Sequence, residues 1–426
     1  MALGTGSLLV AGRSDENGLA PGLAGVGIRA DAVRIGGAAV SNGRVVLAGQ
    51  SVGSAGPGIT ADPEFRGIDI AIDNNGTFAP IGANIVIGAS AGAQAPAALG
   101  LSTTTLRGLT SGAVNLRPLG LDAAGNVVEA PAVPIVIAAP GAVPAGSFGV
   151  DPALLKGPGV QTGGLSAGQG FVVGSNVHTG LITLAANAFP ATTLALSLQN
   201  QGAGSAGMQL GGGNALGTLA LLTAGNISQG GALTAQNLLV QGGTASRIDL
   251  SNAGNQFGVL AFDPPQFLSV ATQGNLTVDA ASALGCNAAT NALAAINLTD
   301  SVAGAQTVLR SIAGDLRLNR SIALPSEGVS SLDLVTPANF VAGEGVNISG
   351  PARGQWRVWT QAPANVTRGN LQAANLYGCA YGDGTICSLS GVALPAGNRF
   401  MFVDRPLLNV TANLVSARPW RFPRRS

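Results

Sequence analysis

The sequence predicts an all-β solenoid, a chain wound into stacked coils of short strands. Three observations carry this: alternation of apolar and polar residues, a loose repeat near twenty residues, and an unusual richness in small residues. The alternation is clearest between Gly217 and Val278, where Leu219/Leu221, Leu238/Val240, Ile248/Leu250, Val259/Ala261, Leu268/Val270 and Leu276/Val278 are separated by Gly-Asn, Gly-Gly and Asn-Ala-Gly. A period of two marks a strand with one buried face. Gly and Asn supply the positive φ that sharp turns need. Strands this short cannot bury a face alone and need a partner above and below.

Taking Leu219, Leu238, Val259, Leu276, Ile296, Leu316 and Leu332 as equivalent positions gives gaps of 19, 21, 17, 20, 20 and 16 residues. Such a period with short strands is what a β-solenoid shows. The competing reading is a β-sandwich or barrel with Gly-rich turns. The solenoid is preferred because no segment of helical period interrupts the run.

Composition agrees with a narrow core. Glycine makes up 64 of the 426 residues, about twice the usual share. Charged residues are 10%, against about a quarter in ordinary globular chains. Hydrophobic residues reach 46%, much of it Ala and Val, with aromatics at 4%. This is not the low hydrophobicity and high net charge of a disordered chain. The net charge of +1 gives no electrostatic footprint for nucleic acid. No basic segment followed by an apolar core opens the sequence, and no uninterrupted apolar run is long enough to span a bilayer as a helix.

In order along the chain, residues 1–95 read as solenoid coils, with short strands such as GIDIAIDNNG (67–76) and GANIVIGAS (82–90). Residues 96–165 read as a Pro/Ala/Gly-rich insertion or join. Prolines 131, 134, 140 and 144 exclude a central strand from most of it, since proline cannot donate to a ladder. Asp151-Pro152-Ala153 suits a single helical turn with Asp as N-cap and Pro at the first position. Coils resume over 166–350. Residues 351–410 read as a separate β-rich module, because all three Trp, both Tyr and two of the three Cys lie beyond Pro351. Residues 411–426 form a basic tail.

Several segments resemble the repeats of filamentous-haemagglutinin-type exoproteins, the secreted partners of bacterial two-partner secretion. They are NLRPLG (115–120), GSFGVDPALL (146–155), GFVVGSNVHTGLITL (170–184), LLTAGNISQGGALTAQNLLV (221–240) and IDLSNAGNQFGVLA (248–261). The stretch 352–417 is similar to the segment that ends such solenoids. The resemblance covers about residues 20–417. It implies a right-handed parallel β-helix, export through an outer-membrane transporter partner, and display or release at the cell surface as an adhesin-like fibre. The family's N-terminal secretion domain has no counterpart in this sequence, so the expectation is a fragment or remnant of a larger exoprotein.

Candidate sites are few. Cys379 and Cys387 bracket a Gly382-Asp383-Gly384 turn; a three-residue hairpin loop would bring them opposite each other, within disulfide reach. Free thiols or half a metal site are the alternatives. Cys286 is left over and expected to be buried. His178, the one histidine, reads as a turn or coil-surface residue. Asp69 and Asp73 share a strand face, with Asp62 and Glu64 nearby. They read as turn carboxylates, or as a calcium site or an acid/base pair if a turn closes the gap. Trp356 and Trp359, with Arg353 and Arg357 beside them and Arg368 beyond, read as module core or as a binding surface for sugars or protein. Asn226, Asn275, Asn297 and Asn409 head Asn-x-Ser/Thr triplets and read as turn asparagines. No cofactor is expected.

The functional expectation is an adhesin-like rod making many weak contacts, not an enzyme, with host or cell-surface ligands and self-association through unpaired coil ends. The rival is a β-helix polysaccharide-degrading enzyme.

Overall fold

The computed structural model describes residues 8–14, 26–28, 33–35, 44–51, 59–61, 70–72, 81–91, 97–100, 106–158, 163–263, 265–325, 331–350, 354–382 and 396–405. Among them there is no α-helix, only strands and three 3-10 turns. The strands build two long parallel sheets, one of 13 strands (sheet 1) and one of 15 (sheet 2). A five-stranded sheet adds a third wall near the N-terminal end, and a three-stranded one does so further along. The architecture is a parallel β-helix.

The alternating residues become columns. Phe171, Leu196, Leu219, Leu238, Leu260, Val278, Leu318 and Ala342 stack in register down sheet 1, all within one buried core. Sheet 2 answers with Ile135, Ile182, Met208, Ile227, Ile248 and Leu268, continued by Thr307, Leu332 and Trp356. Each fully buried Leu or Ile contributes about 1.5–3 kcal/mol. Thr307 is tolerated inside the column because its Oγ1 accepts from the Gly304 N–H at 3.0 Å.

The repeat is real, but its anchors shift. Leu196, Leu219, Leu238 and Leu260 follow at steps of 23, 19 and 22 residues. The inward residue is Leu260, not Val259, because a one-residue slip moves a side chain to the other face. Ile296 lies in an antiparallel hairpin outside the stack, and Leu332 belongs to sheet 2.

Sheet 1 runs unbroken through the Pro-rich stretch, from Asn84–Ala91 through Ala113–Leu116 to Gly170–Ser175. Within that stretch Ile135–Ile137 is a central strand of sheet 2, between Phe148–Val150 and Ile182–Leu184. It fits because Pro134 and Pro140 fall just outside it, and the Pro134 carbonyl still accepts from Phe148 N–H at 2.7 Å. This strand gives sheet 2 an extra rung. The turn expected at Asp151 forms as a 3-10 turn, Pro152–Leu154, with the Asp151 carboxylate accepting from Ala153 N–H at 2.9 Å.

The described residues within 351–410, which are 354–382 and 396–405, differ from the separate module expected there. Gln355–Thr360 pairs in parallel with Ser331–Val335, and Val366–Thr367 pairs with Phe340–Ala342. In these coils large rings continue the core: Trp356 follows Leu332 in the sheet 2 column and packs against Phe400. Arg399–Phe402 slots between Gln355–Thr360 and Ala374–Tyr377. Residues 411–426 lie outside the described residues.

Turn asparagines tie successive coils together. Asn226 Oδ1 accepts from Arg247 N–H, and Asn275 Oδ1 accepts from Asp315 N–H, each at 2.8 Å. Asn297 is the exception; it sits exposed within a strand. Gly174 has a positive φ of 87°, and a Cβ there would meet the Gln199 carbonyl on the next rung, so this position needs glycine.

Two antiparallel hairpins lie on the outer face of sheet 1. The first pairs Leu119–Leu121 with Val127–Glu129 and packs Leu119 and Val127 against Val46, Ala48 and Val86. The second pairs Ala281–Asn287 with Ala292–Leu298 and covers Ala220, Leu222 and Leu239. Residues at outward positions of sheet 1 are therefore apolar where a hairpin lies above them.

Candidate functional site

Strand Gln355–Thr360 divides its residues between two faces. Trp356 and Val358 point into the core, where the Trp356 ring meets Phe400 edge-on with centroids 5.3 Å apart. Arg357 and Trp359 take the outer face. Trp359 is also buried, beneath Cys379, Met401, Leu376 and Tyr381. Its ring stands edge-on to Tyr381 at 5.5 Å. Neither Trp offers an open stacking surface of the kind a sugar-binding reading requires. Arg353 lies outside the described residues. Arg368 lies over the Phe400 ring at 4.1 Å and donates to the Ala373 carbonyl at 3.3 Å.

The Trp359 indole N–H donates to Asp333 Oδ1 at 2.8 Å. Burial pushes the Asp333 carboxyl up from its ordinary value, more than this hydrogen bond and the Arg357 charge pull it down. Burial and the Asp333 charge likewise raise the Tyr381 phenol, with Arg310 opposing. Beside them opens a cavity of about 170 Å³, lined by Arg310, Thr336, Trp359, Gln361 and Tyr381 among others. A small cleft with an exposed cation and amide and a half-buried phenol can hold a polar ligand by hydrogen bonds. Cys379 is disulfide-bonded; Cys387 lies outside the described residues.

A second cluster escaped the sequence. Arg117 follows strand Ala113–Leu116 and is 1% exposed. Its Nε lies 3.1 Å from Glu129 Oε2 of the first hairpin. Its Nη1 donates to Asn115 Oδ1 and, at 2.9 Å, to Cys286 Sγ of the second. Its Nη2 donates to Asn291 Oδ1 in that hairpin's turn. The Ser175 hydroxyl donates into the Glu129 carboxylate at 2.7 Å. Arg117 thus joins both hairpins to the solenoid.

His178 belongs to this cluster and is fully buried, correcting the expected surface position. Its Nδ1 is 3.5 Å from Glu129 Oε1, and neither ring nitrogen makes a hydrogen bond. Burial raises the Cys286 thiol to about 11, outweighing the Arg117 charge. The sulfur is a protonated thiol at neutral pH and not a nucleophile. The signal for this cluster was faint: an Arg and a Glu amid apolar residues in a chain poor in charge. Nothing in the sequence joins Arg117 to Cys286 and Asn291, about 170 residues away.

Asp62, Glu64, Asp69 and Asp73 lie outside the described residues. Among the described carboxylates, Asp279 and Asp315 flank strand Leu316–Leu318. Asn319 and Arg320 hold Asp279, and Arg317 and Asn339 hold Asp315. Hydrogen bonds led by Asn319 lower Asp279. For Asp315 burial opposes, but the Asn339 and Arg317 contacts prevail and lower it too. Asp279 sits beside Asn319, four residues along from Asp315, or about 13 Å, beyond the spacing of a glycosidase pair. Among the described residues no group of His, Cys, Asp and Glu is placed to hold a metal ion.

No protein-family model matches the chain, and no curated protein or solved structure matches it.

Proposed function

We propose that this chain is a secreted or surface-displayed adhesin-like structural protein that makes multivalent contact through the loops of its solenoid. The observation that carries the reading is the unbroken parallel stack. Thirteen strands of sheet 1 hydrogen-bond in one series, so successive turns recur at about 4.8 Å along one axis. A surface built this way repeats weak contacts in a line, and linked weak contacts gain about 10²–10⁴ in avidity without any new strong one. The repeat resemblance supports the same reading and supplies an outer-membrane transporter as the export partner. Ligands on host or neighbouring cells are the binding partners.

The test compares beads coated with the whole chain against the chain free in solution, on host-cell and bacterial-cell layers. Beads should be retained, and free chain should displace them only at large excess. No retention on any layer contradicts the reading. Release of oligosaccharides from a polysaccharide by the free chain would replace it with the enzyme reading.

A further inference from the structure

The far strand of the second hairpin, Ala292–Leu298, is an open edge. The near strand, Ala281–Asn287, packs across the strands of sheet 1, while the far strand lies against Gln256–Asp263 and sets Ile296 and Leu298 on Ala220, Leu222 and Leu239. Cys286 N–H is taken by Gln199 Oε1 at 2.7 Å, and its carbonyl accepts from Asn176 N–H at 3.0 Å, so the near strand is tied down. Among the described residues the far strand pairs with its hairpin partner alone.

Natural edges of this kind are blunted by charge, proline or short length. This one has none of the three. It is seven residues long, ALAAINL, and residues 280–299 contain no charged residue and no proline. Ala294, Ala295 and Asn297 are exposed.

We propose that this edge pairs antiparallel with the same strand of a second copy, centred on Ala295. The pattern of sizes names the occupant. About that centre Ala292 falls opposite Leu298, Ala294 opposite Ile296, and Leu293 opposite Asn297. Each bulky aliphatic meets a small or polar residue, so the two strands interdigitate without crowding. A two-fold contact of one patch with itself is the commonest route to a dimer. The absence of charge gives a charged partner nothing to pair with. The inference does not depend on the adhesin reading.

The full chain would be followed by sedimentation at rising concentration, with far-UV circular dichroism confirming the fold of each variant. The expected result is a monomer–dimer equilibrium that Ala295→Lys shifts to monomer. Ala295→Cys should give a disulfide-linked dimer under mild oxidation, since directly opposed pairs sit about 4.5–5.5 Å apart at Cβ. Asn297→Cys should not, because the two copies of residue 297 lie about 13 Å apart along the pair. A monomer at every concentration, undiminished association of Ala295→Lys, or equal cross-linking at 295 and 297 would each overturn the proposal. Cross-linking does not depend on Ala295→Lys folding, so it decides the matter if that variant fails to fold.

Discussion

Arg117 holds both outer hairpins to the solenoid. Its guanidinium serves Glu129 on one hairpin, Cys286 and Asn291 on the other, and Asn115 on the solenoid. Removing one member of a buried ion pair leaves the other uncompensated, at about 3–5 kcal/mol. Arg117→Ala should therefore release the hairpins while the coils stay folded. Hydrogen exchange resolved by peptide should show faster exchange in 119–129 and 281–298 and little change in 233–263. Cys286 gives an independent readout. Its buried, protonated thiol should resist maleimide at pH 7 in the native chain and react quickly in Arg117→Ala. Asp333 supplies a pH prediction. Its carboxyl is raised in the folded state, so the folded chain holds that proton more tightly than the unfolded one. Stability from this group is then highest below the ordinary carboxylate value and falls as pH rises through the folded value. Asp333→Asn keeps an acceptor for Trp359. It should raise the denaturation midpoint at pH 7 relative to the parent and lose that advantage near pH 3. At this scale the sequence was least legible. Burial of Trp356 and Trp359 followed from their size, but the Arg117 cluster depends on where two distant hairpins land.

The strands were the most legible elements, because alternation is a local property. The columns through Leu219, Leu238 and Leu276 in sheet 1 follow from it directly. Two kinds of element were not legible. Ile135–Ile137 hides between prolines that argue against a central strand, and is admitted because its three residues fit the gap. The second hairpin alternates as the coils do, so Ile296 passes for a solenoid position; only its pairing with Ala283 shows otherwise. Since Leu276–Val278 already pairs with Leu316–Leu318 beneath it, the hairpin is an appendage to the stack. Replacing 281–298 by a short polar turn should leave the far-UV spectrum that of a β-solenoid. It should also uncover Ala220, Leu222 and Leu239 and increase binding of a hydrophobic dye. Loss of the β spectrum would show that the hairpin is needed to build the coils.

At the scale of the molecule, each coil contacts its neighbours and little else, so stability is close to a sum of coil and interface contributions. Large-to-small substitution at a buried ring, Phe262→Ala, removes about 3–5 kcal/mol from one rung. Unfolding in denaturant should then separate into two transitions, where the parent shows one broad transition. The central claim is that the coils form a single continuous stack. Spin-label pairs measure it most directly, with labels at outward positions of sheet 2. Thr183 and Ser269 are separated by four strand spacings, and Thr183 and Arg357 by seven. The stack predicts about 19 Å and about 34 Å, apart from the label arms. Two distances that are equal, or that fall in the opposite order, would contradict the solenoid and with it the adhesin reading built on its length.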